Sequence, residues 1–388
     1  MHMLALTGGN IFTMVGDNIE NGTVLIKDGN IIEIGESIAI PSGTEIIRVN
    51  GRIITPGLID AHSHIGMFEE IYRVEGDDGN EMTDPLTPHL RAIDAVNPED
   101  LAFQDALKGG VTTVVTGPGS ANILGGEMAA LKTWGKTVED MIVKFPIGLK
   151  AALGENPKRV YGTTSKAPHT RMASAAILRE ALVSAQNYIK KQENWINGEK
   201  DKHEPERDLK LESIGRVLKR EIPLRVHAHR ADDIMTAVRI AREFDLKIII
   251  EHCTEGYKVA DELARLNIPA IIGPIITNRA KVELQGINLS NGKYLEKAGV
   301  NFAIMTDHPV VPIQYLALSA GLTVQGGLSE KTALQAITVN AAKLLGLNGL
   351  GTLEKGQKAD LVVWSGHPFD LRSKVELVYI NCNLLSFD

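Results

Sequence analysis

Two histidines one residue apart, His62 and His64, stand at the end of the apolar run Gly57-Leu58-Ile59-Asp60-Ala61. Side chains at i and i+2 of a β-strand share a face, so both imidazoles can reach one divalent ion. Further donors close other apolar runs, in Val226-His227-Ala228-His229, Ile250-Glu251-His252 and Met305-Thr306-Asp307-His308. Six of the chain's 11 histidines therefore fall at C-terminal strand ends, where the strands of a parallel barrel bring their side chains to a common mouth. A set of this kind can hold a metal that activates water for hydrolysis. The chain has only two cysteines, Cys253 and Cys382, which gives neither a disulfide framework nor a CxxC knuckle. Any metal must be held by histidine, carboxylate or a modified side chain.

These donors need a scaffold, and the hydrophobic pattern predicts one. From position 57 short apolar runs alternate with helical stretches, the signature of βα units. The strand candidates are Gly57 to Asp60, Thr112 to Thr116, Ile147 to Leu153, Leu224 to His227, Lys247 to Glu251, Ala270 to Ile272 and Phe302 to Thr306. An eighth is expected in the stretch after Arg73. Helices are predicted over Pro98 to Gly109, capped by Asn97, and over Ala231 to Phe244. Residues 157–222 exceed a simple crossover and read as a surface-exposed helical insertion, broken near Asn197-Gly198. The first 55 or so residues hold β-rich runs such as Gly22 to Lys27 and Glu45 to Val49, and β character returns in Ala359 to Trp364 and Val375 to Asn381. The fold class expected is α/β, a (β/α)8 TIM-like barrel over 57–346 with a small β-sandwich domain formed by both chain ends, 1–56 and 347–388.

Composition narrows the function. The 388 residues are 44% hydrophobic and 23% charged, ordinary for a globular chain with a large core. A net charge of −7 offers no basic footprint for nucleic acid, which is not expected as a partner. Residues 1–17 lack a basic region ahead of a long apolar core, and no apolar run reaches the ~18 residues of a membrane span. The expectation is a cytoplasmic enzyme acting on a small molecule, with no membrane partner and with homo-oligomerisation left open.

The segment Gly57-Leu58-Ile59-Asp60-Ala61-His62-Ser63-His64 resembles the first-strand signature of the amidohydrolase superfamily, and Lys355-Gly356-Gln357-Lys358-Ala359-Asp360-Leu361-Val362-Val363 is similar to its C-terminal return into the small β-domain. The resemblance covers nearly the whole chain and lies nearest the imidazolonepropionase-like and prolidase-like branch. It implies a hydrolase of amide, peptide or cyclic amide bonds with a divalent metal, two Zn2+ by preference and Fe, Mn or Ni as alternatives. His62 and His64 would hold the more buried ion and His227 and His252 the more exposed one. Asp307 would touch the buried ion and shuttle the proton. In two-metal members a carbamylated lysine bridges the ions, and the matching residue is Lys150. Modification is needed because an ammonium cannot ligate a cation, whereas a carbamate offers two anionic oxygens. Glu155 is the rival bridge, since some members use a glutamate.

Around this set, His229 reads equally as a substrate-side group or a structural one, and His308 as a neighbour that orients Asp307 or touches substrate. Arg230 could fork onto a substrate carboxylate, although a structural ion pair is the favoured reading. Arg159, Tyr161, His169 and Arg171 are polar candidates for substrate binding in the insertion. Gly117-Pro118-Gly119-Ser120 lacks the ending of a P-loop and reads as a tight turn lining the pocket; Gly125-Gly126-Glu127 follows it without an assigned role. Two rival functions stand beside this one. A one-metal deaminase would resemble a His-x-x-Glu pattern after the fifth strand, where this chain has Arg230. A catalytically silent scaffold would lack ligands, and none is missing.

Overall fold

The computed structural model describes residues 3–71, 74–198 and 204–387. Its centre is an eight-stranded sheet that curls into a TIM-like barrel. The two chain ends share a second eight-stranded sheet. In chain order the end sheet begins with β1 (Met3–Ile11), β2 (Ile19–Lys27), β3 (Asn30–Gly35), β4 (Glu45–Arg48) and β5 (Ile53–Pro56). The barrel follows with β6 (Leu58–Ser63), β7 (Val111–Thr116), β8 (Leu124–Lys132), β9 (Ile142–Ala152), β10 (Leu224–Ala228), β11 (Ile248–His252), β12 (Ala270–Ile272) and β13 (Phe302–Ile304). The end sheet resumes with β14 (Leu361–Trp364), β15 (Val375–Ile380) and β16 (Asn383–Ser386). Their order there is β16-β15-β14-β5-β1-β2-β3, with β4 also paired to β1.

The barrel runs in order from β6 to β13, and all seven predicted strands are present. The eighth departs from expectation. It is β8, not a strand immediately after position 73, and it pairs antiparallel to both β7 and β9. Residues 74–97 hold two short 3-10 turns and isolated bridges at Asp77, Leu86 and Arg91, but no strand. A hairpin connection needs no crossover helix, so the βα spacing used to locate strands has nothing to register at β8. Gly126, at φ +148, lets the strand pass against the Leu90 carbonyl, which a Cβ would meet at 2.7 Å.

Alternation along the strands divides the core. Ile249, Ile271 and Ala303 belong to one buried cluster, while their neighbours Ile250, Ile272 and Ile304 belong to another that also takes in helix residues Leu178, Leu182, Ile234 and Val238. Side chains of period two must face opposite sides of the sheet. The segment 157–222 contributes to this outer layer through the helices Arg171–Ile196 and Leu209–Leu218. Their faces at Ala181, Ala185, Ile214 and Val217 are buried in the same cluster, so this segment covers the barrel. The first long helix starts later than predicted, as Leu101–Lys108, because Asp100 rather than Asn97 accepts the capping N–H, from Ala102.

The two ends of the barrel sheet meet at the mouth. Asp307 N donates to His62 O at 3.2 Å and His64 N donates to His308 O at 2.9 Å. Buried Asp60 ties the same seam, accepting from the Thr306 hydroxyl and from the His62 and Thr306 amides. The end sheet is joined to the barrel by a bond from Gly57 N to Asp360 O at 2.9 Å and by the buried pair of Lys132 with Asp360. Among the described residues no helix is long and apolar enough to cross a membrane.

Candidate metal centre

The strand ends bring the predicted donors into two adjacent groups. His62, His64 and Asp307 form one, His227, His229 and His252 the other, with the ligand atoms inside each group within 4.8 Å of one another. All six residues are buried. The His62 and His252 rings stand 5.5 Å apart, centroid to centroid, and His252 Nδ1 lies 3.9 Å from Asp307 Oδ2. The groups therefore share a wall.

Backbone geometry turns these side chains inward. Neighbours on a strand normally face opposite sides, yet Glu251 and His252 both face His62. The reason is that His252 and Cys253 enter the left-handed region, at φ 67 and 46. Asp307 does the same at φ 58. Such conformations cost about 1–3 kcal/mol each in non-glycine residues and persist where the surroundings over-determine them. Arg225 and His227 share a face within β10 by simple alternation, and His229 follows just past its end.

Hydrogen bonds fix which ring nitrogen is available. His64 Nδ1 donates to Gly117 O at 2.7 Å and His252 Nδ1 to Gly273 O at 3.1 Å, so each leaves an Nε2 lone pair. His229 Nδ1 is bonded to Thr254 Oγ1 at 2.7 Å, while its buried Nε2 has no hydrogen-bond partner among the described residues. The Asn156 amide donates to His227 Nε2 at 3.4 Å. Burial above all, reinforced by Lys150 or by neighbouring histidines, holds His227, His229 and His252 well below the ordinary histidine range. Neutral imidazoles with an unpartnered buried nitrogen, as at His227 Nδ1 and His229 Nε2, are what a divalent ion requires. Asp307 Oδ1 lies 3.3 Å from His62 Nε2 and 3.4 Å from His64 Nε2. Burial would raise its carboxyl, but the nearness of the His62 and His64 rings outweighs that and holds it below the ordinary carboxylate value. The donor set fits a divalent metal.

Lys150 reaches the same place from β9. Its buried Nζ is 3.4 Å from His62 Nε2 and 2.5 Å from Glu251 Oε2. Desolvation lowers its pKa, against the pull of Glu251. Glu251 also lies 3.1 Å from His62 Nδ1 and 2.6 Å from Arg225 Nη2. Burial raises this carboxyl, but His62, Lys150 and Arg225 together hold it well below the usual carboxylate range. Glu155, the rival bridge, is in neither donor group. Its Oε2 accepts the Glu283 amide at 3.0 Å.

The outer candidates separate. Arg230 does not face the site: it forks onto Asp232 at 2.9 and 2.8 Å on an exposed edge, the structural ion pair considered above. Arg171 likewise grips Asp233 at 2.9 and 3.1 Å, and His169 is exposed, contacting Lys166 O at 3.1 Å. Tyr161 is buried and donates to Asn122 Oδ1 at 2.5 Å, and Arg159 donates to Asn156 Oδ1 at 3.4 Å. Arg159 thus meets the centre only through Asn156, which also holds Ser120 Oγ at 2.7 Å. His308 is buried, with Nε2 3.8 Å from Glu70 Oε1; burial pushes its pKa down to about 4. Glu127 is not at the centre and pairs with Arg216 at 3.0 Å. Three contributors escaped the sequence reading. Glu251 and Arg225 were visible as charges inside buried strands, a signal that could have been used, whereas Glu283 sits in the short 3-10 turn Val282–Leu284 without any motif.

Comparison with known proteins follows the same lines. Residues 53–384 match the model of the amidohydrolase family. The chain is 30% identical over 386 residues to the amidohydrolase tasK of Hapsidospora irregularis, covering 93% of this chain but 39% of that relative, so it spans well under half of that protein. It is 26% identical to an imidazolonepropionase of Mesorhizobium japonicum, covering 93% and 89% of the two chains. The crystal structure of an amidohydrolase from Thermotoga maritima MSB8 superposes with a TM-score of 0.95 at 45% identity, over 98% of this chain and 99% of that one.

Proposed function

This chain belongs to the amidohydrolase family, hydrolases of carbon–nitrogen bonds, and we propose that it hydrolyses an amide, peptide or cyclic amide bond of a small molecule with two divalent ions at the barrel mouth. The observation that carries this reading is the convergence of two groups of buried donors, His62, His64 and Asp307 beside His227, His229 and His252. In the proposed division, 57–346 form the catalytic barrel, while 1–56 and 347–388 form a small domain folded as a β-sandwich.

His62 and His64 would hold the more buried ion with Asp307, and His227 and His252 the second, with Lys150 as its carbamate between them. Bound there, divalent ions supply a water that ionises near neutral pH and polarise the scissile carbonyl. The residues do the rest. Asp307, ionised and fixed by its contacts with His62 and His64, accepts a proton from the attacking water and returns it to the leaving nitrogen. Gly117 and Gly273 carbonyls keep the His64 and His252 rings in the tautomer that leaves Nε2 free. Glu251 holds the opposite edge of His62, an arrangement that orients a ring and raises its basicity. His308, next to Asp307 in the chain, Arg159, reaching the centre through Asn156, and Tyr161 are the proposed substrate-side candidates. The test is a screen of metal-reconstituted protein against dipeptide, N-acyl amino acid and cyclic amide libraries. Chelator-sensitive hydrolysis restored by metal is expected, and hydrolysis indifferent to chelation would contradict the reading.

A further inference from the structure

Glu283 is fully buried in the turn after β12, and its carboxylate is split between two tasks. Oε2 accepts the Glu155 amide at 3.0 Å, while Glu155 Oε2 accepts the Glu283 amide at 3.0 Å. This reciprocal clamp holds the carboxylate in one place. Gly154, at φ +89, makes room for it, since a Cβ at that position would stand 2.7 Å from Glu283 Oε2. The other oxygen, Oε1, is buried and has no hydrogen-bond partner among the described residues. It lies 3.6 Å from His227 Nε2 and 3.6 Å from His229 Nε2, with Lys281 Nζ the nearest cation at 3.9 Å.

A buried carboxylate oxygen and the buried His229 Nε2, both without a hydrogen-bond partner among the described residues and 3.6 Å apart, suit a cation between them. The spacing suits one. Donors ~2.0–2.1 Å from a tetrahedral ion are separated by about 3.3–3.4 Å along each edge, a few tenths of an ångström from the 3.6 Å between Glu283 Oε1 and His229 Nε2. We propose that Glu283 and His229 are ligands of the second ion, so that this ion is held by His227, His229, His252 and Glu283 rather than by His227, His252 and the lysine bridge alone. A neutral three-histidine set contributes no charge, and Glu283 supplies the anionic donor from within the site. That gives the second ion a full protein set even where Lys150 is unmodified, with its ammonium kept by Glu251. The proposal rests on the reading that the barrel mouth binds divalent metal.

The test uses the full-length protein and Zn2+ or Co2+ alone. Metal affinity is measured by competition with a chromophoric chelator, and the Co2+ visible spectrum reports the donor set. Glu283→Gln keeps an acceptor for the Glu155 amide, and His229→Gln keeps a polar group near Thr254. Each is expected to weaken the more labile ion by about tenfold to 100-fold or more and to alter its Co2+ spectrum, while Lys281→Met leaves affinity equal or higher. Thermal unfolding of the metal-free variants checks that the fold survives. Two ions bound by Glu283→Gln with wild-type affinity and spectrum would overturn this inference alone. A wild-type protein that binds no ion would overturn it together with the proposed function.

Discussion

Glu251 Oε1 lies 3.1 Å from His62 Nδ1, on the edge of the ring opposite the one facing Asp307. The same carboxylate meets Lys150 and Arg225, so one buried anion orients a histidine of the centre and compensates two buried cations beneath it. Arg225 has no other charged partner among the described residues, and its Nη2 donates only to the Ala61 carbonyl besides, at 2.7 Å.

Glu251→Gln should therefore destabilise the metal-free protein by about 3–5 kcal/mol, the usual consequence of removing one partner from a buried ion network. Urea unfolding measures it. A loss below about 1 kcal/mol would mean that Arg225 and Lys150 are compensated by other groups.

Acid should weaken the metal-free fold through the second histidine group. Burial places His227, His229 and His252 well below their ordinary value of 6.5. As pH falls through 6.5 the unfolded chain takes up protons on these rings and the folded chain does not. The unfolded state then binds more protons, and stability is lost on acidification. The urea midpoint is expected to be level above about pH 7 and to decline below 6.5, with a shallower decline in His229→Gln. A midpoint indifferent to pH across that window would show that the rings are not held neutral.

Lys150 should respond to carbon dioxide. A carbamate forms when the neutral amine attacks CO2 and releases a proton, and desolvation favours that neutral amine. Reconstitution in CO2-depleted buffer should leave activity at least about tenfold below that regained with bicarbonate, and Lys150→Met should not respond. Equal recovery in both buffers would remove the bridge and leave the ions on their separate donor sets.

The barrel and most of the centre were legible because histidines at apolar run ends are conspicuous: His62, His64, His227, His252 and Asp307 are brought together at one mouth. What was hidden had physical reasons. The antiparallel β8 carries no crossover helix, so nothing in the spacing announced it. His229 reads two ways in the sequence because it lies just beyond β10, where alternation no longer dictates its side. Glu251 and His252 could not both be assigned to the site by strand periodicity, since only the left-handed backbone at His252 reverses it. Glu283 arrives from a 3-10 turn and owes its place to the clamp with Glu155. At Arg230 the structural ion pair prevails over the substrate fork, because the adjacent Asp232 satisfies the guanidinium.

Asp307 carries the proton in this account. Asp307→Asn keeps an oxygen donor but cannot accept a proton, so kcat on any substrate found in the screen should fall about 100-fold to 10,000-fold with metal content largely retained. An active variant would move the proton shuttle elsewhere.

The most direct test is the metal content of purified protein from metal-replete medium, measured alongside the His62→Ala/His64→Ala and His227→Ala/His252→Ala double variants. About two ions per chain are expected in the wild type, as in other two-metal hydrolytic sites, with about one retained in each double variant. A wild-type protein without bound metal, or a metal content that neither pair of substitutions lowers, would contradict a metal centre at the barrel mouth.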